Sequence, residues 1–254
     1  MTERDQSLVS GALTRSAASA RMEYTVRIER IFDHADDVRS IFLRAVGQPI
    51  PQFLPGMFVS IKMPLVDGER VRPYTLASLP DDGEPHEIVF NLVPNGPGAV
   101  WLFARRVADE LRLTGPYGAF TFTGTPAANL VFIAEDTAIA PIRPMIRRAL
   151  TASSDNHVEL LYGADRRDHL LYLSEFEALS ARHSRFQVTT LVIERGREAL
   201  YARLAEEARQ RWIESDAERS RHFYICGVGA GVFGLRDLLR RAGYERRAVH
   251  YEKW

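Results

Sequence analysis

The strongest constraint on the fold is a change of hydrophobic pattern between residues 123 and 129. Before this point, short stretches such as residues 24–31 alternate apolar and polar side chains and are separated by turns, which is typical of antiparallel strands. After it, residues 130–134 form a continuous apolar run, as in a strand buried on both faces, and further strands alternate with helical segments. The sequence therefore predicts a small antiparallel barrel over residues 23–126 and a doubly wound parallel-sheet domain over residues 127–254.

Composition and charge restrict the classes of partner. The 33 Lys and Arg residues balance the 33 Asp and Glu residues, so we expect neither nucleic acid nor an anionic membrane as a partner, and no apolar run is long enough to span a bilayer. The single Cys226 leaves no internal disulfide and no Cys-ligated iron–sulfur cluster within this chain, which favours a cytoplasmic location.

Residues 1–22 are rich in Ser, Ala and Arg without an apolar core, and we interpret them as a mobile tail rather than a secretory signal. The oligomeric state is not predicted.

Two segments of the first half carry groups suited to a phosphate and a flat ring. Residues 72–75 read Arg-Pro-Tyr-Thr, and alternation along an extended chain places Arg72 and Tyr74 on one face. A guanidinium binds phosphate through paired hydrogen bonds, and a phenol can lie along a flat ring system. Residues 96–99, Gly-Pro-Gly-Ala, open a predicted helix, where free backbone N–H groups suit a diphosphate. A surface arginine, a core tyrosine and an ordinary turn are the alternative interpretation.

In this order the two segments resemble the flavin-binding signature of the ferredoxin–NADP⁺ reductase superfamily, Arg-x-Tyr-Ser/Thr followed by Gly-x-x-Ser/Thr. The resemblance implies a six-stranded barrel that binds FAD, with Arg72 on a flavin phosphate, Tyr74 against the isoalloxazine and Thr75 near flavin N5. It also implies that the Gly96 turn holds the pyrophosphate, although Ala99 replaces the usual hydroxyl residue. The cofactor-binding set that it implies is Arg72, Pro73, Tyr74, Thr75, Ser78, Asn91, Leu92, Val93, Gly96, Pro97, Gly98, Ala99, Val100, Thr137 and Trp254.

The first strand-to-helix turn of the second half carries two acidic residues. Residues 135–141, Glu-Asp-Thr-Ala-Ile-Ala-Pro, resemble the nicotinamide-nucleotide turn of the same superfamily, except that Asp136 stands where a glycine is expected. At an effective dielectric constant near 20, two like charges about 5 Å apart repel by roughly 3 kcal/mol, so carboxylates here would weaken the binding of a diphosphate. Alternatively, Asp136 caps the helix that follows. The sequence leaves open a working NAD(P)H site with adjusted geometry and a weakened or abandoned one.

The end of the chain resembles the catalytic part of the superfamily. The run Tyr-Ile-Cys-Gly at residues 224–227 implies that Cys226 approaches the carbon that gives up hydride. The final Glu-Lys-Trp implies that Trp254 stacks on the isoalloxazine and moves aside for nicotinamide, while Glu252 relays protons. With Thr75, these three residues form the predicted catalytic set. A small residue at a strand end and an aromatic buried for packing are the simpler alternatives.

Loop arginines after two predicted strands suggest a nucleotide phosphate site. They can take a 2′-phosphate and would slightly favour NADPH over NADH, although solvated surface charges explain them equally well. The predicted nicotinamide-nucleotide set is Thr137, Ala138, Arg166, Arg167, Arg195, Arg197, Cys226 and Gly227.

The seven histidines show no paired spacing, so no metal site is predicted, and no Gly-x-Ser-x-Gly elbow indicates a hydrolase.

The resemblance extends over residues 23–254 with its motifs in the right order. It implies an FAD-dependent oxidoreductase that transfers electrons between NAD(P)H and an external one-electron carrier, an iron–sulfur or flavin protein such as a ferredoxin, a flavodoxin or an oxygenase component. The alternative enzyme is an FAD-containing electron-transfer subunit, or another flavoenzyme, with a degenerate nicotinamide site. A flavin-binding interaction or redox-sensing protein is the non-enzyme alternative. FAD rather than FMN is an expectation from the family.

Overall fold

The computed structural model describes residues 22–83, 85–93, 96–124, 128–152, 155–216 and 219–254. The predicted tail, apart from Met22, and the predicted division between residues 126 and 127 lie outside these ranges. The first part contains β1 (Glu23–Ala35), β2 (Val38–Val46), β3 (Phe58–Leu65), β4 (Gly68–Thr75), β5 (His86–Asn91), α1 (Pro97–Phe103) and β6 (Glu110–Tyr117). The second contains β7 (Leu130–Glu135), α2 (Ile139–Thr151), β8 (Val158–Ala164), α3 (Leu173–Arg182), β9 (Phe186–Val192), α4 (Arg197–Ala208), β10 (His222–Gly227), α5 (Gly231–Arg241) and β11 (Val249–Lys253).

The first six strands form an antiparallel sheet in the order β4-β3-β6-β1-β2-β5. A bridge between Leu76 and Ile88 joins the two edges, so the sheet curls into a barrel. Alternation along β1 fills the inside of the barrel, because Val26 and Ile28 are fully buried while Arg27 between them faces outward. The predicted six-stranded antiparallel architecture is confirmed.

The remaining five strands form a parallel sheet in the order β11-β10-β7-β8-β9. Helices α2 and α3 pack on one face through residues such as Ile142 and Phe176, and α4 and α5 pack on the other through Leu204 and Leu239. The predicted doubly wound domain is therefore confirmed. The strand order reverses between β7 and β10, and such a reversal opens a crevice at the carboxyl ends of the strands, where ligands bind.

Several element boundaries differ from the sequence prediction. Helix α1, which the sequence predicts to open within residues 96–99, begins at Pro97, because proline suits the first helical position, and it ends at Phe103. Helix α4 continues into a π-helical segment, Arg209–Glu214. Residues 119–122 do not form a strand; Phe122 instead packs edge-on against Tyr224 of the parallel sheet.

A buried polar network joins the barrel to the parallel sheet. Glu87 of β5 is 3% exposed. Its carboxylate pairs with Arg143 of α2 at 2.6 Å and accepts hydrogen bonds from Tyr172 Oη at 2.8 Å and Ser40 Oγ at 2.6 Å. Because the charge is buried and fully bonded, separating the two parts would leave it uncompensated. The network therefore fixes the relative placement of the residues described next.

Candidate active site

The two segments predicted to hold a phosphate lie side by side. Arg72 and Tyr74 stand two residues apart on β4 and project from the same face. Gly98, in the first turn of α1, approaches the stem of Arg72: a Cβ added there would lie 3.6 Å from Arg72 Cγ and 3.1 Å from Met63 Sδ. Arg72 is exposed, and its guanidinium donates a hydrogen bond to the carbonyl of the neighbouring Val71 at 2.9 Å.

Tyr74 is half-buried beside these groups. Its ring packs edge-on against Phe90, with centroids 5.6 Å apart, and Phe90 in turn packs edge-on against Phe103 of α1. Burial raises the pKa of Tyr74 to about 12 despite the nearby Arg72, so the side chain is a neutral phenol at physiological pH. The adjoining Thr75 is buried.

The other residues implied by the flavin signature divide into packed and open positions. Ser78 is buried, and its hydroxyl accepts a hydrogen bond from Glu87 N at 3.1 Å, which gives it a structural role. Val93 and Val100 are 56% and 50% exposed, so two apolar side chains are open to solvent on either side of the Gly96 turn. The following other residues of the implied cofactor-binding set are exposed or partly buried: Pro73, Leu92, Gly96, Pro97 and Ala99.

Glu135 ends β7 in the crevice where the strand order reverses, and it is 3% exposed. Its Oε2 atom accepts hydrogen bonds from Tyr201 Oη at 3.0 Å and from Val228 N at 2.8 Å. Its Oε1 atom pairs with Nε of Arg197 at 2.5 Å. The charge of Glu135, expected from the sequence to repel a diphosphate, is therefore compensated by Arg197.

Asp136 begins the following turn with φ 53°, in the left-handed region that favours glycine. Its carboxylate accepts hydrogen bonds from Thr137 N at 2.7 Å and Asn91 Nδ2 at 3.4 Å, and lies 3.1 Å from His169 Nδ1. Its carbonyl accepts one from Tyr162 Oη at 3.0 Å. Burial raises the pKa of Asp136, and these neighbours oppose that effect by favouring the carboxylate.

The same turn brings together predicted site residues from both sheets. The Thr137 hydroxyl donates to Asn91 Oδ1 at the end of β5, so two residues predicted to bind the cofactor bind each other. Ala138 is buried and is the N-cap residue of α2, where no side chain supplies a capping hydrogen bond. The alternative that Asp136 caps this helix is therefore wrong.

Cys226 lies beside Glu252 on adjacent parallel strands. Burial raises the pKa of the Cys226 thiol well above its usual range, so it is a neutral thiol, and burial also raises the pKa of Glu252. Trp254 Nε1 donates to Glu252 Oε2 at 3.2 Å. The backbone of Trp254 is anchored to Gly227 and Gly229, whereas its side chain is 39% exposed. The predicted residues at the end of the chain thus form one group.

The four predicted arginines do not form one cluster. Arg166 pairs with Asp168, and Arg197 pairs with Glu135, so both guanidiniums already hold a carboxylate. Arg167 and Arg195 are exposed. An open groove of about 620 Å³ at the end of β9 is lined by Val192, Ile193, Glu194, Arg195 and Ala199.

Sequence reasoning missed the partners that compensate the two acidic residues. Tyr201 and His169 carry no motif, and they reach the turn from 66 and 33 residues away. Two glycines leave the space that Tyr201 occupies. A Cβ at Gly227 would lie 1.9 Å from its hydroxyl, and one at Gly231 would lie 2.2 Å from its ring, so these glycines were the available sequence signal for Tyr201. Nothing in the local sequence indicates the role of His169.

Comparison with known proteins shows which protein family this chain belongs to. The family model described as "Oxidoreductase FAD-binding domain" matches residues 33–122, and "Oxidoreductase NAD-binding domain" matches residues 132–231. Over 222 residues the chain is 32% identical to ferredoxin–NADP reductase B of Sorangium cellulosum, covering 84% of this chain and 89% of that protein. The chain belongs to the ferredoxin–NADP⁺ reductase family. It is an FAD-dependent oxidoreductase with NAD(P)H as co-substrate, and it transfers electrons between NAD(P)H and a separate carrier.

Other relatives of this reductase differ in length. The glycine betaine monooxygenase reductase subunit of Pseudomonas aeruginosa is 27% identical over 244 residues, but the chain spans only 66% of that protein. Among solved structures, a variant of ferredoxin–NADP⁺ reductase from Plasmodium falciparum shares the fold, with TM-score 0.78, 18% identity and coverage of 91% of this chain and 96% of that one. An Amycolatopsis cytochrome P450 reductase has TM-score 0.76 and 21% identity, covering 91% of this chain and 69% of that one.

Among the described residues, every helix is too short or too polar to cross a membrane.

Proposed function

We propose that the reductase holds FAD between β4 and α1 and brings NAD(P)H to it from the parallel sheet. When bound, FAD accepts hydride as an electron pair and releases the electrons singly, which supplies the redox chemistry. The observation that carries this proposal is the approach of Gly98 to Arg72, with a Cβ at Gly98 only 3.6 Å from Arg72 Cγ. A phosphate beside α1 would meet a guanidinium on one side and helix N–H groups on the other.

Each residue of the flavin half has a task that follows from its environment. Arg72 binds a phosphate, because its guanidinium is exposed while its stem lies against α1. Tyr74 is held in place by Phe90 and, as a neutral phenol, presents a flat surface and a donor to the ring system. Thr75 is the next residue of the same strand and is buried, and its hydroxyl would hydrogen-bond to the flavin ring system.

The nicotinamide half is proposed to use the group at the chain end. Cys226 would present a neutral thiol to the nicotinamide, and Glu252, whose pKa burial raises, would hold or pass a proton. The exposed indole of Trp254 can cover the flavin when nicotinamide is absent and swing away when it binds, because its main anchors are backbone hydrogen bonds. With Thr75, these are the proposed catalytic residues.

Compensation of both acidic residues supports a working nicotinamide-nucleotide turn. Glu135 is paired with Arg197, and the carboxylate of Asp136 faces His169. The dinucleotide would lie against Thr137, Ala138 and Gly227, which stand at the carboxyl ends of β7 and β10, where the crevice opens. Arg195, exposed beside the groove at the end of β9, is the cation best placed for a 2′-phosphate, which slightly favours NADPH, and Arg167 is the second candidate.

The electron partner is proposed to be a separate iron–sulfur or flavin protein. The single Cys226 is free and buried, so the chain itself supplies no cluster ligands. The same free cysteine is compatible with the reducing cytoplasm, which we propose as the location. The division into an FAD-binding part at residues 23–126 and an NAD(P)-binding part at 127–254 is supported by the family matches at 33–122 and 132–231.

A second candidate function is that of an FAD-containing electron-transfer subunit that does not oxidise NAD(P)H directly. Asp136 favours it, since a carboxylate replaces the glycine of the family turn.

Steady-state assays of the FAD-loaded protein test the proposal and separate these candidates. NADPH or NADH is supplied with ferricyanide or cytochrome c as a one-electron acceptor. Turnover with either dinucleotide supports the reductase. No turnover with either dinucleotide, together with reduction of the acceptor once a protein donor reduces the flavin, supports the subunit.

A further inference from the structure

His169 is a buried histidine enclosed by carboxylates. It lies in the turn after β8 and is 4% exposed. Its Nδ1 atom is 3.1 Å from Asp136 Oδ2 and 3.3 Å from Asp165 Oδ1, and its Nε2 atom is 3.0 Å from Asp37 Oδ1. Asp37 belongs to the turn between β1 and β2, so the imidazole ties the nucleotide turn to the flavin barrel.

Both ring nitrogens therefore face oxygen atoms that only accept hydrogen bonds when ionised. Neutral imidazole carries a single N–H, so only the imidazolium form satisfies both sides of the ring. Burial opposes the charged form, but Asp136 and Asp37 outweigh it and raise the pKa of His169 above its ordinary value of 6.5. The His169–Asp136 pair is thus an imidazolium with a carboxylate.

The remaining polar groups around the ring do not replace this charge. Arg166 lies 3.6 Å from Asp37 but pairs more closely with Asp168, at 2.5 Å. Tyr162 donates to the backbone carbonyl of His169 rather than to the ring. Asp165 is half-exposed, so solvent screens its charge. Among the described residues, His169 is the cation in contact with the Asp136 carboxylate.

Asp136 carries its negative charge in the first strand-to-helix turn of the parallel sheet. Its side chain is 15% exposed, so water screens it little. Its left-handed backbone and its bonds to Thr137 and Asn91 hold the carboxylate in one position. An uncompensated anion here would repel the diphosphate of a dinucleotide approaching the first strand-to-helix turn.

We propose that the His169 imidazolium is the counter-ion that allows the Asp136 turn to accept the diphosphate of NAD(P)H. The inference rests on the proposed function, since it concerns the same nucleotide site. His169 is a positioning residue: it acts through Asp136 and does not itself touch the ligand.

The test is a double-mutant cycle read by calorimetric binding of NADP⁺ and NAD⁺ to the FAD-loaded protein, without turnover. His169→Gln removes the charge but keeps hydrogen-bonding capacity, Asp136→Gly removes the anion, and the double variant removes both. We expect His169→Gln to weaken binding about tenfold in the wild-type background and less than about twofold in the Asp136→Gly background. His157→Gln, at an exposed histidine next to a different part of the sheet, is the control and should leave affinity unchanged.

A pH series keeps the proposal testable if His169→Gln fails to fold. Wild-type affinity should fall about tenfold as the pH is raised above the ordinary histidine value of 6.5 and His169 loses its proton, and Asp136→Gly should show little change. NAD⁺ is the cleaner probe, because it lacks the 2′-phosphate that itself titrates near pH 6. The inference would be overturned, with the proposed function left standing, if His169→Gln weakened dinucleotide binding equally with and without Asp136. A wild-type affinity that does not change with pH would have the same consequence. Absence of any dinucleotide binding by the wild type would overturn the proposed function together with it.

Discussion

Arg197 and Glu135 form an ion pair inside the crevice where the strand order of the parallel sheet reverses. The carboxylate of Glu135 is also held by Tyr201 and by the N–H of Val228, so three elements meet at one buried anion. The pair converts a residue that would repel a dinucleotide into a structural link between β7, α4 and the loop after β10. It also occupies an arginine that the sequence suggested for a 2′-phosphate.

Glu135→Gln should lower the free energy of unfolding by about 1–2 kcal/mol. Breaking a buried pair costs more than this in general, but Arg197 is 52% exposed and regains water when its partner is lost. Urea unfolding measures the change. Glu206→Gln, which disrupts a solvent-exposed pair with Arg209, is the control and should cost less than about 0.5 kcal/mol. Equal effects of the two substitutions would show that the Glu135 network does not stabilise the fold.

Gly231→Ala and Gly234→Ala should change stability in opposite directions. A Cβ at Gly231 would lie 2.2 Å from the Tyr201 ring, so the tyrosine must shift, at a cost of about 1–3 kcal/mol. A Cβ at Gly234, three residues along the same helix, meets nothing within 4 Å, and alanine there should stabilise α5 by up to about 1 kcal/mol. Thermal unfolding of both variants provides the comparison. A stabilising Gly231→Ala would contradict the placement of Tyr201.

Arg72→Ala should weaken FAD binding about tenfold to hundredfold, because a charge-assisted hydrogen bond of about 1.5–3 kcal/mol to phosphate is lost. Fluorescence titration of the flavin-free protein with FAD gives the dissociation constant. Arg27→Ala removes an exposed arginine that pairs with Glu110 on the barrel surface and should leave FAD affinity unchanged. Equal FAD affinities of the wild type and Arg72→Ala would remove Arg72 from the phosphate site.

The stabilising effect of His169 should depend on pH. Its folded-state pKa lies above the ordinary value of 6.5, so its contribution is fully present below that value and is lost as pH rises through the folded pKa. The difference in unfolding free energy between the wild type and His169→Gln should therefore shrink as the pH is raised above 6.5. Urea unfolding at several pH values measures it; a difference that grows with pH would show that His169 is neutral in the folded protein.

The sequence predicted the features that depend on local order. Alternation gave the barrel strands and the shared face of Arg72 and Tyr74, and the apolar run at residues 130–134 gave the central strand β7. The compensating contacts were not predictable, because His169 meets Asp37 across 132 positions of sequence and Arg197 meets Glu135 across 62. The first contact depends on how the barrel packs against the parallel sheet and the second on how α4 packs against β7, and no spacing rule encodes either. The sequence therefore shows the two acidic residues without the cations that lie beside them in the fold.

Anaerobic mixing of the FAD-loaded protein with NADPH or NADH tests the central claim most directly. The visible absorbance of the oxidised flavin reports hydride transfer in a single turnover, before any electron partner is involved. The account predicts rapid bleaching by at least one dinucleotide. A flavin that stays oxidised with both, yet bleaches with dithionite, would contradict it.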